Sequence, residues 1–236
     1  MTLKHFVRRT FILAATLAMI PLNAQEIKQK DTSIENYIEL LNASGYQAYS
    51  FDISDLKNET YILNFEIREY VNGVMTDKTL RRGSFENRIM VQDFMWRELS
   101  DEELALIKAD SYDYEQGIYA VADQVTIGFM PSKNDSTMVG QISVANMGSS
   151  RLELPLKPIQ NQSLKEPVYQ YDTKPFKSSS FQTDRFIPLV LYLSFWYDQQ
   201  WNIIRCCGEE VIDPEMTAEI LQYSPHFYVI GVTVSK

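Results

Sequence analysis

Alternation of apolar and polar residues runs through most of the chain. Tyr61, Leu63, Phe65 and Ile67 alternate with Asn64, Glu66 and Arg68, the period of a half-buried strand. Asn72-Gly73 follows Val71 and predicts a two-residue hairpin turn. That turn sets Arg68 opposite Asp77, Asn64 opposite Arg81 and Phe65 opposite Leu80, a register that suits both faces. Further alternation covers Val125-Ile127-Phe129, Met138-Ile142-Val144 and Leu152-Leu154-Leu156. Leu189 to Tyr197 is apolar on both faces, as a central strand is. The chain then turns at Asp198-Gln199-Gln200 into Trp201–Arg205, and His226 to Val234 supplies a last strand.

Helix signals are few. Thr32-Ser33-Ile34-Glu35 reads as a capping box ahead of Ile34, Ile38 and Leu41, with Gly45 as the stop. Ser100-Asp101-Glu102-Glu103 is a second box. Asp213-Pro214-Glu215 places a cap and a proline at the first helical position before Met216 and Ile220. The pattern predicts a mainly β chain, an antiparallel β-sandwich with two or three short peripheral helices, with α+β as the alternative. Residues 160–185 break the alternation with Pro167, Pro175 and a serine run, so a long loop is expected there.

The first 24 residues follow different rules. Lys4, Arg8 and Arg9 precede an uncharged apolar run from Phe11 to Ile20, then Pro21-Leu22-Asn23-Ala24. That is the layout of a signal peptide, with cleavage expected between Ala24 and Gln25. Arg8-Arg9-Thr10-Phe11-Ile12 resembles a twin-arginine signal, but Val7 and Leu13 flank it where that route has other residues, which favours general secretion. No cysteine lies near the cut, so a lipid anchor on a mature N-terminal cysteine is not expected. No later stretch approaches 18 apolar residues without a charge, so no membrane span is expected. Residues 25–236 read as one β-rich domain, exported to the periplasm or beyond.

Charge narrows the partners. The chain holds 22 Lys+Arg against 31 Asp+Glu, and removal of Lys4, Arg8 and Arg9 leaves 19 basic residues, a net charge of −12. Nucleic acid is disfavoured, because a phosphate backbone needs a basic footprint.

Candidate chemistry is sparse. Cys206 and Cys207 are adjacent, about 3.8 Å apart at Cα, too close for an unstrained mutual disulfide. His226 is the one histidine after the signal segment; it reads as a strand-edge residue rather than a general base. No zinc set, phosphate loop, dinucleotide fingerprint or nucleophile elbow is present. Asp110 to Gly117 looks like a calcium loop but lacks the alternate acids and central glycine. Neither metal nor cofactor is expected, and no catalytic residue is assigned.

If Gln199-Gln200 is a two-residue turn, Phe195 faces Ile204, and Leu193 faces Cys206. Tyr192, Trp196 and Arg205 then share the reverse face. Two amphipathic aromatics beside a guanidinium can stack a sugar ring and hydrogen-bond its hydroxyls.

The segment ending Leu22-Asn23-Ala24-Gln25, Phe51-Asp52-Ile53-Ser54 and Glu66-Ile67-Arg68-Glu69-Tyr70-Val71-Asn72-Gly73 resemble the uncharacterised exported β-rich domain proteins of Gram-negative gut commensals. That resemblance implies an exported, cofactor-free β domain and brings no catalytic residue. The expectation is a non-enzymatic binding module for a glycan, peptide or envelope protein. The alternatives are a carboxylate-based glycan hydrolase and a structural component of an envelope assembly, pairing through an open strand edge.

Overall fold

Thirteen strands and three short helices form among the described residues of the computed structural model, which are 30–160, 165–178 and 180–236. With 45% strand and 16% helix, the chain is mainly β rather than α+β. The segment read as a signal peptide, with Ala24 and Gln25, lies outside the described residues.

The chain divides into two units, Met1–Tyr37 and Ile38–Lys236. In the first, described from Lys30, the backbone enters helix α1 (Ile34–Ala43). Its cap is Ser33, whose N–H donates to Asn36 Oδ1 at 3.1 Å, not the Thr32–Glu35 pair that the spacing suggests. The side-chain contact forms one residue further along the chain than the spacing suggests.

The second unit is a sandwich. One sheet has the order β1 (Gln47–Asp52), β6 (Gln124–Met130), β7 (Thr137–Val144), β8 (Gly148–Pro155). The other runs β3 (Val74–Glu86), β2 (Ile62–Val71), β13 (His226–Ser235), β10 (Phe186–Ser194), β9 (Tyr171–Pro175). All named ladders are antiparallel. Leu63, Phe65, Ile67 and Ile230 of the five-stranded sheet meet Val125, Ile127, Ile142 and Leu154 of the four-stranded sheet in the main core. Each comes from the inward-facing set that alternation marks. Where edges β1 and β9 approach, side chains join them: Tyr49 Oη lies 2.7 Å from Thr173 Oγ1, which also donates to Gln47.

Three expectations need correction. The Asn72-Gly73 turn forms, with both residues at positive φ and Val71 paired to Val74. Bulges then shift the register, so Ile67, not Phe65, faces Leu80, Arg68 faces Thr79, and Glu66 faces Arg81. Residues inserted opposite Glu69 cause the first shift. Residues 160–185 are not one loop. They contain edge strand β9, hidden in sequence by Asp172 and Lys174 and ended by Pro175, a residue edge strands tolerate. The third helix does not start at Pro214. Glu215 N–H donates to Asp213 Oδ1, Met216 turns to φ 60°, and α3 is only Ile220–Tyr223. An Asx turn consumed the cap signal.

Between β3 and β6 the chain makes a detour carrying β4 (Arg88–Met90), β5 (Ile118–Val121) and helix α2 (Asp101–Asp110). The α2 box forms as expected: Ser100 N–H donates to Glu103 Oε2 at 2.9 Å, and Glu103 N–H to Ser100 Oγ at 3.3 Å.

Candidate functional site

After Ser194 the chain leaves the five-stranded sheet and builds a short ribbon, β11 (Trp196–Asp198) against β12 (Ile203–Arg205). Its register pairs Trp196 with Arg205 and Asp198 with Ile203. The turn therefore spans Gln199 to Asn202, not Gln199-Gln200 alone, and the expected Phe195–Ile204 and Leu193–Cys206 pairs do not form. Asp198 explains the longer turn. Its Oδ1 accepts the N–H groups of Gln200 (2.9 Å) and Trp201 (3.2 Å), and Asn202 takes φ 54°. Asx caps of this kind compete with a tight primed turn.

The ribbon and α3 form the walls of a cleft of about 620 Å³. Trp196 stacks on Tyr223 of α3, with ring centroids 5.5 Å apart and planes at 19°. Trp201, at the ribbon tip, is 61% exposed. Arg205 Nη1 sits 3.0 Å from Asp198 Oδ2, and Tyr223 Oη donates to Glu219 Oε1 at 3.1 Å. That bond to a carboxylate raises the Tyr223 pKa, since ionisation would place two negative charges in contact. Beneath them Gly208, at φ 145°, lets the loop press on Ile220.

Trp196 and Arg205 thus stand opposite each other in this cleft. Tyr192 does not join them. It is half-buried between the sheets, stacked on Phe129 (5.4 Å) and Tyr171 (5.0 Å), and burial pushes its pKa well above the ordinary tyrosine value. The reason is a change of face. Val190 and Tyr192 point toward the four-stranded sheet, while Leu191 and Leu193 pack into a second core with Phe227, Leu221 and Ile220. The break after Ser194 turns Trp196 onto that second core, so the parity that grouped it with Tyr192 fails. Tyr223, Trp201, Asp198 and Glu219 went unassigned in the sequence. A weak signal existed for Trp201, a bulky aromatic inside a turn of polar residues.

A second polar cluster is buried. His226, 1% exposed, opens β13, which is an interior strand of its sheet rather than an edge. Its Nε2 lies 3.1 Å from Glu69 Oε1 and its Nδ1 2.5 Å from Tyr171 Oη. Lys157 Nζ is 3.6 Å from the same Glu69 oxygen, and Thr76 Oγ1 donates to Glu69 Oε2. Burial lowers the His226 pKa, outweighing the opposite pull of Glu69. For Glu69 burial acts to raise the pKa, but the bonds from His226 and Thr76 and the Lys157 charge bring it below the usual carboxylate value. A neutral imidazole with Nε2–H donating to Glu69 and Nδ1 accepting from Tyr171 satisfies these contacts. Carboxylate, imidazole and hydroxyl in a row are the order of a nucleophile relay. Here, however, Tyr171 Oη already accepts the Lys157 N–H at 2.9 Å and touches its carbonyl at 3.2 Å. The cluster ties β2, β9 and β13 to the segment after β8, with the Tyr171 hydroxyl engaged by His226 and by the Lys157 backbone.

Both cysteines are free, Cys206 half-buried and Cys207 exposed along the cleft wall. Burial, then the Asp172 carboxylate, push the Cys206 thiol up to about 11. Among the described residues no group of three or more His, Cys, Asp or Glu side chains is placed to hold a metal ion, and no helix is long and apolar enough to cross a membrane.

The model of one protein family, described as a domain of unknown function (DUF5041), matches residues 18–236. No curated protein and no solved structure matches the chain.

Proposed function

The chain belongs to the DUF5041 family, and from that premise we propose that it is an exported, non-enzymatic module that binds a glycan in the cleft between the β11–β12 ribbon and α3. The observation that carries the reading is the Trp196–Tyr223 stack beside an exposed Trp201, in a cleft edged by Arg205, Asp198 and Glu219. Grouped aromatics rimmed by polar residues mark interaction sites, where a single exposed ring does not. A sugar ring offers an apolar C–H face to such rings and hydroxyls to the charged groups around them. The export read from residues 1–24 agrees with this proposal, because glycans and envelope components are what an exported chain meets.

Binding is favoured over hydrolysis by how Asp198 is used. Its Oδ2 is held by Arg205 and its Oδ1 by two backbone N–H groups, so it supports the turn rather than standing free as a nucleophile or base. The test is a glycan array with the mature chain, followed by calorimetry on the best ligand. Trp201→Ala should abolish binding and change stability by no more than about 0.5 kcal/mol, as for an exposed surface position. An array without hits, or full affinity in the variant, would refute the proposal. Release of reducing sugar from the bound ligand would replace it with the hydrolase reading.

A further inference from the structure

The two sheets do not close everywhere. A cavity of about 390 Å³ reaches Val125 of β6 from one sheet and Leu63 and Val234 of β2 and β13 from the other, all at most 2% exposed. It therefore enters between the layers, where interiors are ordinarily packed without room for a ligand.

Local sequence explains the opening. Pro188 sits in β10 opposite Gly231, and the register slips between Pro188 and Val190. Proline removes a ladder donor and a bulge bends the strand. The Ile187 carbonyl and the Phe186 ring fill the space a Gly231 Cβ would need, the ring 2.5 Å from it. Ile187–Leu189 line the cavity, together with Phe51 and Asp52 of β1. Across the opening, β1 ends at Asp52 and the chain passes into a 3₁₀ turn, Ser54–Asn58, whose Leu56 is buried.

The walls are mostly apolar, and the charged groups lining the cavity are Asp52, Asp55 and Lys177. Lys177 is engaged elsewhere, with Nζ 3.6 Å from Asp213 Oδ2. Hydrogen bonds from the Ser54 hydroxyl and N–H hold the Asp52 carboxyl below the usual carboxylate range, so it is ionised at neutral pH. Lys57 stands close enough to add to that effect but does not line the cavity. The mouth is negative above an apolar interior.

We propose that this inter-sheet cavity binds a small cationic amphiphile, an alkyl or arylalkyl amine, with its apolar part between the sheets and its ammonium group at Asp52 and Asp55. The site is separate from the aromatic cleft and takes a different chemical class. Charge selects the head group: a carboxylate ligand would face two like charges at the mouth, and an alcohol would gain neither attraction nor repulsion.

The experiment is calorimetric titration of the mature chain with octylamine, octanol and octanoate at neutral pH and low salt. Octylamine should bind saturably, one per chain, and octanoate about tenfold or more weakly. The double variant Asp52→Asn, Asp55→Asn should erase that preference and leave octanol binding in place. Leu189→Trp, at a half-buried residue that lines the cavity and packs against the inter-sheet core, should block all three while the thermal melt stays cooperative. Equal binding of octylamine and octanoate, octylamine binding that survives Leu189→Trp, or no saturable binding of octylamine would each overturn the proposal. If either variant fails to fold, the octylamine-to-octanoate ratio of the wild-type chain still decides.

Discussion

A single buried imidazole sets how this chain should respond to acid. His226 holds its proton less readily folded than at the ordinary 6.5, so below that pH the unfolded chain takes up a proton that the folded one refuses. Stability is therefore fully present above pH 6.5 and is lost as pH falls below it through the lower folded-state pKa. Glu69 adds the same sign lower down, because its folded pKa lies below 4.5. Thermal midpoints should fall from pH 7 to pH 5, and His226→Gln should flatten that slope; an unchanged slope would assign it to other groups. Trp196 offers a second test. It is half-buried against the second core and backs Tyr223, so Trp196→Ala should cost about 2 kcal/mol, less than the ~3–5 of a fully buried tryptophan. Denaturant midpoints measure this, and glycan affinity should fall with it.

Elements in this fold are shaped by small departures from regularity. The β2–β3 hairpin starts in the register its Asn-Gly turn dictates and leaves it through bulges, which bring Phe85, not Leu80, against Phe65, with ring centroids 6.0 Å apart. The β11–β12 ribbon exists because the chain abandons β10 at Ser194, and its tip is set by Asp198. The ribbon is also held from below. An added Cβ at Gly208 would sit 2.8 Å from Ile220 Cβ, at a φ of 145° that side chains rarely adopt. Gly208→Ala should therefore destabilise by about 2 kcal/mol and loosen the cleft. Urea melts measure the first effect; loss of Trp201 fluorescence change on ligand addition measures the second.

For the whole molecule, two cores divide the work. One lies between the sheets, and the other lies on the far face of the five-stranded sheet, where α3 and Phe176 cover Leu191, Leu193 and Phe227. That cover is why β10 and β13 read as apolar on both faces. Export is the expectation at this scale: the positive start, apolar run and Ala24 converge on a mature chain from Gln25. Intact mass of protein from the exported fraction should correspond to residues 25–236 within a few residues, and full-length mass there would contradict it.

What the sequence determined by itself is whatever depends on neighbours along the chain: strand periods in β2, β6, β7 and β8, the Asn72-Gly73 turn, the Ser100 cap, and the mainly β composition of the fold. Those signals are local because side-chain alternation and capping act within a few residues. Tertiary structure decided the rest. It placed β9 at an edge despite charged residues, because pairing to β10 supplies hydrogen bonds that no local pattern records. It moved Tyr192 into the inter-sheet layer and turned Trp196 onto the other face. It brought Glu69 to His226, and Glu219 and Tyr223 to the ribbon. Such sites form from residues far apart in sequence, and only the packing of sheet on sheet fixes which of them meet.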